Sequence, residues 1–410
     1  MSRILVVGGG ASGMLTAIYA ARNGHNVSLY EKNEKLGKKL YVTGKGRCNI
    51  TNASDMDVIF DNMMSNKKFL YSCFYSYTNQ DVMNFFEDLG CKVKVERGNR
   101  VFPVSDKSSD VIQALSRELQ RLGVQVHLRK AVKKLIVEND TFVGLQLEGS
   151  NEIIKADKVI IATGGLSYPA TGSTGDGYEF AKELGHSIKS CTPSLVPFNI
   201  KEDFVKELQG LALKNVSVKI KDQKKTIYEN FGEMLFTHFG VSGPLILSGS
   251  SYVAAYKKKE NLDLWLDLKP ALTKEQLDQR ILRDFEENIN KQFKNSLDHL
   301  LPKKIIPVII SLCEIDPDKK VNFITKEERG RLIQTMKELK LTIESLRSYR
   351  EAVITKGGVA VKEINPTSME SKLVKNVHFV GEVLDLDALT GGFNLQIAWS
   401  TAYAAATNLE

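Results

Sequence analysis

Ile4-Leu5-Val6-Val7-Gly8-Gly9-Gly10-Ala11-Ser12-Gly13 is the stretch on which the fold of this chain turns. Four apolar residues stop at a glycine cluster. An apolar helical stretch from Met14 to Asn23 follows at once, and a second apolar run, Val27 to Tyr30, ends at Glu31. Each part has its own job in a dinucleotide site. Gly8 permits a tight turn, Gly10 lets the backbone approach a pyrophosphate, and Gly13 lets the helix lie against the strand. The helix start offers free N–H groups and the positive end of its dipole. Glu31, at the tip of the second strand, is placed to accept from a ribose hydroxyl, which suits NAD or FAD and repels a 2′-phosphate. The alternative is a glycine-rich turn in an ordinary parallel sheet, with Glu31 a solvated strand-end acid.

The chain has 410 residues and 42% apolar content, enough for a sizeable core and two or three domains. No apolar stretch is long enough to span a bilayer, and the first strand begins too early for a signal peptide; a cytoplasmic location without membrane contact is expected. Cys48, Cys73, Cys91, Cys191 and Cys313 are scattered and form no CxxC, which argues against a disulfide framework and a paired-thiol redox centre. No His/Cys grouping has metal-ligand spacing, so no metal is expected. The net charge of +7 is expressed locally at Lys257-Lys258-Lys259 and Lys303-Lys304, without interleaved aromatics. Such runs read as solvated ends, and nucleic acid is not the expected partner.

Along the chain, helices are expected over 80–89 and 109–122, and strands over 91–95, 124–128, 132–138 and 142–148. Lys158 to Ile161 is a short buried strand ending at Ala162-Thr163-Gly164-Gly165, which sets backbone amides at a sheet edge. From about Lys189 the pattern turns to antiparallel or barrel-like strands, then to helices between Thr273 and Ser348. At the end, His378-Phe379-Val380 runs into Gly381-Glu382, and Gly391-Gly392 precedes a small-residue helix from Leu395 to Asn408. Three glycine-bearing strand ends, near Gly8, Gly164 and Gly381, fit one long ligand such as FAD better than three small ones. The amides after Gly391-Gly392 would then face the flavin N1/O2 edge and stabilise the anion formed on reduction.

These motifs, with Thr43-Gly44-Lys45-Gly46-Arg47-Cys48-Asn49-Ile50-Thr51-Asn52, Arg100-Val101-Phe102-Pro103, Phe236 to Pro244 and Thr355-Lys356-Gly357-Gly358-Val359, make the chain resemble a bacterial flavoprotein family. That family is aminoacetone oxidase-like and bile-acid reductase-like, within the two-dinucleotide-binding-domain superfamily. The resemblance implies an α/β, glutathione-reductase-like Rossmann domain over 1–190 and 350–410 that binds FAD non-covalently. It also implies a β-rich insert on the substrate side over 191–270 and a helical insert over 271–349.

The resemblance places Gly8, Gly10, Ser12, Gly13, Glu31 and Lys32 on the adenosine and pyrophosphate, and Lys39, Gly46, Arg47 and Cys48 along the diphosphate and flavin. Val132 would meet adenine through its backbone. Ala162, Thr163 and Gly164 would pass the linker, and Gly381, Glu382, Gly392, Phe393 and Asn394 would hold the ribityl chain and pyrimidine edge. For catalysis, His238 in its Gly-punctuated loop is the first candidate, with a packing role as its alternative. Arg47 would neutralise reduced flavin, a substrate carboxylate or a phosphate, and Tyr168 would wall the substrate pocket or simply pack. Cys48, without a redox partner, reads as structural. The expected activity is hydride transfer between a small organic substrate and FAD, as amine oxidation or enone reduction. NAD(P)H or oxygen would complete the cycle. A flavin-dependent RNA-modifying protein and an FAD-holding redox sensor or scaffold are the alternatives.

Overall fold

The computed structural model describes residues 1–409. They form two compact units, Met1–Ser194 with the chain from Ser348 onward, and Leu195–Arg347.

The first unit is built on a five-stranded parallel sheet. Its strands run in the order Val377–Phe379, Lys158–Ile161, Arg3–Val7, Asn26–Glu31, Gln125–Leu128. Ile4, Leu5, Val6, Val159, Ile160 and Ile161 are wholly buried, the near-continuous apolar pattern of a sheet covered on both faces. The helix Ala11–Arg22 starts one turn past the first strand because Gly13 has no side chain: a Cβ there would lie 1.9 Å from the Gly8 carbonyl oxygen. The final helix, Phe393–Thr407, packs against it and is buried nearly all round, which is why alanines and no amphipathic period fill it. Two antiparallel three-stranded sheets attach to this body, Thr51–Asn52 with Arg100–Pro103 and Val93–Glu96, and Val132–Glu138 with Thr141–Leu147 and Ile153–Lys155. A ribbon of Ile188–Ser194 and Ile354–Val359 stands where the chain leaves for the second unit and returns from it.

The second unit is a closed six-stranded barrel: Phe198–Ile200, Gly240–Ser242, Lys225–Thr237, Ala212–Asp222, Leu262–Asp267 and Leu339–Leu346. Alternation sets its inner face. Leu262, Leu264 and Leu266 are buried, while Asp263, Trp265 and Asp267 are not. Lys274–Glu286 and Lys326–Lys337 each begin with a reciprocal capping box, Thr273 with Gln276 and Thr325 with Glu328. The 271–349 stretch, read above as helical, therefore also supplies Leu339–Leu346, a strand of the barrel itself.

Candidate active site

Val7, Ile161 and Phe379 end three neighbouring parallel strands, so Gly8, Ala162 and Val380 follow side by side at one carboxyl edge. Gly8 adopts φ +107°, and a Cβ on it would lie 2.5 Å from the Ala162 carbonyl oxygen. A Cβ on Gly381, at φ +74°, would lie 2.6 Å from Ser12 Oγ. The first, middle and last glycine loops are therefore in mutual contact. Gly164, φ +72°, completes the group: its missing side chain points 3.2 Å from Ser173 Oγ and 3.9 Å from Glu382 Oε2.

Around this edge the charged side chains are tied down. The Gly9 N–H donates to Glu31 Oε2 at 2.7 Å, and the backbone and side-chain N–H of Asn33 both donate to Oε1. Glu31 thus stands fixed and buried at the tip of its strand. Lys39 Nζ lies 2.5 Å from Glu382 Oε2, and the Thr355 N–H donates to Glu382 Oε1. Lys32 pairs with Asp176 at 2.6 Å and Thr174 Oγ1, and so braces the Gly172–Gly177 turn that lies against the Gly164 loop. Lys130 N–H donates to the Glu31 carbonyl, which brings Val132, two residues on and buried, to the same side.

The Thr43–Asn52 loop combines open and fixed parts. At Gly46 a side chain would meet nothing within 4 Å. The Arg47 guanidinium lies 4.0 Å over the Phe102 ring and pairs with Glu96 and Asp106. Two carboxylates answer its charge, so Arg47 acts here as a loop clamp. Cys48 is wholly buried, and burial pushes its thiol up to about 12, which makes it unreactive. The Asn394 side chain exchanges two hydrogen bonds with the Ala388 backbone and holds the loop before the last helix. Phe393 is buried as that helix's first residue. Tyr168 is half-buried at φ +52°, with its phenol pushed up by burial, and its N–H donates to the Tyr349 carbonyl. His238 belongs to the second unit, where it is exposed at a two-residue hairpin tip, edge-on to Phe239.

FAD fits this edge on three observations. Neither Ala11–Arg22 nor Phe393–Thr407 has a side-chain cap or an acid in its first turn, so both helix starts present N–H donors. At Gly10, which caps the first of them, a Cβ would meet nothing within 4 Å. Finally, Asn49 Oδ1 and Thr163 Oγ1 are buried with no hydrogen-bond partner. Asn33 is not singled out by the sequence, and Asn49 and Thr355 stand within the quoted motifs without a role. Thr355 works through a partner remote in the chain, Asn49 through burial and Asn33 through its neighbour Glu31, none of which residue type reveals.

The chain matches the family model described as HI0933-like protein Rossmann domain over residues 2–408. It is 30% identical over 410 residues to a 3-dehydro-bile acid delta(4,6)-reductase of Clostridium scindens, covering 99% of this chain and 98% of that one. It is equally 30% identical, over 412 residues, to a ribosomal RNA dihydrouridine synthase of Haemophilus influenzae, covering 100% and 98%. Among solved structures, a 3-ketosteroid delta1-dehydrogenase from Sterolibacterium denitrificans superimposes with a TM-score of 0.54 at 12% identity, over 99% of this chain and 98% of that one. That likeness is one of fold. The chain belongs to the HI0933-like Rossmann-domain family and is an FAD-dependent oxidoreductase.

Proposed function

We propose that the protein reduces a carbon–carbon double bond conjugated to a carbonyl in a small organic molecule. The observation that carries this reading is shared chemistry: three relatives matched nearly end to end are named for saturating such a bond, one in a 3-dehydro-bile acid and two in the uridine of ribosomal RNA. FAD, when bound, supplies the hydride chemistry. The chain's own residues then hold and polarise. Gly10 and Ser12 would offer backbone N–H groups to the pyrophosphate, Glu31 would accept from the ribose, and Val132 would meet adenine through its backbone. Gly46, Gly164, Lys39 and Glu382 would line the path between. The bare start of Phe393–Thr407 would stabilise negative charge at the pyrimidine edge. His238 is the proposed proton source for the α-carbon, and Tyr168 the proposed wall of the substrate pocket.

The test is anaerobic. Protein reduced with NADPH or NADH is mixed with a conjugated 3-oxosteroid acid, an aliphatic enone, an amine and a uridine-containing ribosomal RNA transcript, and reoxidation is followed at the flavin band. Reoxidation by the enones, slowed in His238→Gln, is expected. Reduction of the oxidised protein by the amine, with no response to any enone, would contradict the reading. The second reading, uridine in RNA, is favoured by the dihydrouridine synthase relatives and the +7 charge. It would show as reoxidation by the transcript alone, with binding that weakens steeply with salt.

A further inference from the structure

The helix Phe393–Thr407 begins at Gly392 with unsatisfied N–H donors and no acceptor from any side-chain cap. Along that helix start runs the segment from Asn49 to Asn52. A Cβ on Gly392 would lie 2.3 Å from the Thr51 carbonyl oxygen, and Asn52 Nδ2 donates to the Gly391 carbonyl at 2.9 Å. Trp399 Nε1 donates to the Ile50 carbonyl at 2.9 Å. On its other side Asn49 abuts Gly44, whose missing Cβ would sit 2.8 Å from the Asn49 backbone nitrogen. In this satisfied seam Asn49 Oδ1 is buried with no donor. A buried acceptor without a donor costs about 1–3 kcal/mol, so its retention points to a ligand that supplies the missing N–H.

The seam therefore carries donors at a helix start and, two residues before the Thr51 carbonyl that meets Gly392, one acceptor. The pyrimidine edge of an isoalloxazine presents the complement: carbonyl oxygens O2 and O4 flanking a single donor, N3–H. We propose that Asn49 is a positioning residue whose Oδ1 accepts from flavin N3–H, while the N–H groups at the start of Phe393–Thr407 donate to the neighbouring carbonyl oxygen. N3 carries its proton in both oxidised and reduced flavin. The contact therefore fixes the ring's register throughout turnover and bears on binding more than on potential.

The experiment reads binding, not activity. Apoprotein is titrated with FAD and with FAD methylated at N3, which cannot donate, by quenching of flavin fluorescence. Wild type should prefer FAD by about tenfold or more, the worth of one buried hydrogen bond. Asn49→Ala, checked for an unchanged circular dichroism spectrum, should bind FAD about tenfold more weakly and show little preference. Asn49→Asp keeps an acceptor and should keep the preference even where absolute affinity falls. Three results would each overturn the proposal: Asn49→Ala discriminating as strongly as wild type, Asn49→Ala binding FAD with wild-type affinity, or Asn49→Asp losing the preference. A wild-type protein that takes up neither flavin would overturn the cofactor assignment and this proposal with it.

Discussion

Gly10 and Gly13 look alike in the sequence and do opposite things in the fold. Gly10 lies in extended backbone with open space where a side chain would go, so substitution there should leave the fold intact. Gly10→Glu is expected to melt within about 2 °C of wild type, as substitutions away from packed contacts do, and to purify without flavin, because its carboxylate would stand where the pyrophosphate belongs. A folded Gly10→Glu protein with stoichiometric FAD would mean that this loop does not hold the diphosphate. At Gly13 the same change would drive Cβ into the Gly8 carbonyl, a matter of folding alone.

Two buried histidines show how residue type can mislead. His186 lies 2.8 Å from Ser371 Oγ through Nε2 and 3.2 Å from Glu363 through Nδ1, the spacing of a nucleophile, base and acid. Ser371 Oγ, however, already accepts from the Leu373 and Val374 amides, and the imidazole is buried, so the series is a brace. His378 is wholly buried, Nδ1 donates to the Ser368 carbonyl, and burial lowers its pKa to about 4. Its stabilising contribution is therefore complete above about pH 6.5, where the unfolded imidazole is also neutral, and is lost as pH falls toward 4. Wild type should lose about 3 kcal/mol over that window from this group, with His186, lowered by burial, acting in the same direction. Urea midpoints measured from pH 7 to 4 check this. In His378→Asn, which keeps a donor for the Ser368 carbonyl, the slope should flatten; an unchanged slope would remove His378 from the account.

Among the elements, those with a strong period or a chemical signature were legible. The first strand, its glycine turn and the helix behind it follow from apolar runs and from glycine's conformational freedom, and the capping threonine Thr273 marked its helix. Leu339–Leu346 was hidden because its Leu339, Leu341, Ile343 alternation sits directly after a helix of similar composition. Pro244–Ala255 is silent in the sequence for a different reason: small and apolar residues bury it on most sides, so no amphipathic stripe announces it.

The ribbon Ile188–Ser194 with Ile354–Val359 hides a hub that only the fold shows. Thr355 is wholly buried. Its Oγ1 accepts from the Leu166 and Ser167 amides and meets Ser167 Oγ at 2.9 Å, across a separation of nearly half the chain. Thr355→Val keeps the shape and strands those donors, which should cost about 2–3 kcal/mol in a denaturant titration. A loss under about 0.5 kcal/mol would place the amides' satisfaction elsewhere.

At the scale of the whole molecule, the Rossmann unit carries most of what the sequence made readable. A dinucleotide site constrains backbone approach, and backbone approach selects glycine. The barrel unit, Leu195–Arg347, is closed by alternation of buried and exposed residues such as Leu262, Leu264 and Leu266, which marks its strands but names no ligand. Among the described residues no helix is long and apolar enough to cross a membrane, and no group of His, Cys, Asp and Glu is arranged to hold a metal ion. The glycine-lined edge where the loops of Gly8, Ala162 and Gly381 meet is where we propose that FAD binds.

That edge is tested most directly by the flavin content of the purified chain, released by heat and identified by chromatography after incubation with excess FAD and FMN. One FAD per polypeptide, no FMN, and an absorbance band near the flavin maximum that bleaches on reduction are expected. A folded protein that stays colourless in saturating FAD would contradict the FAD assignment.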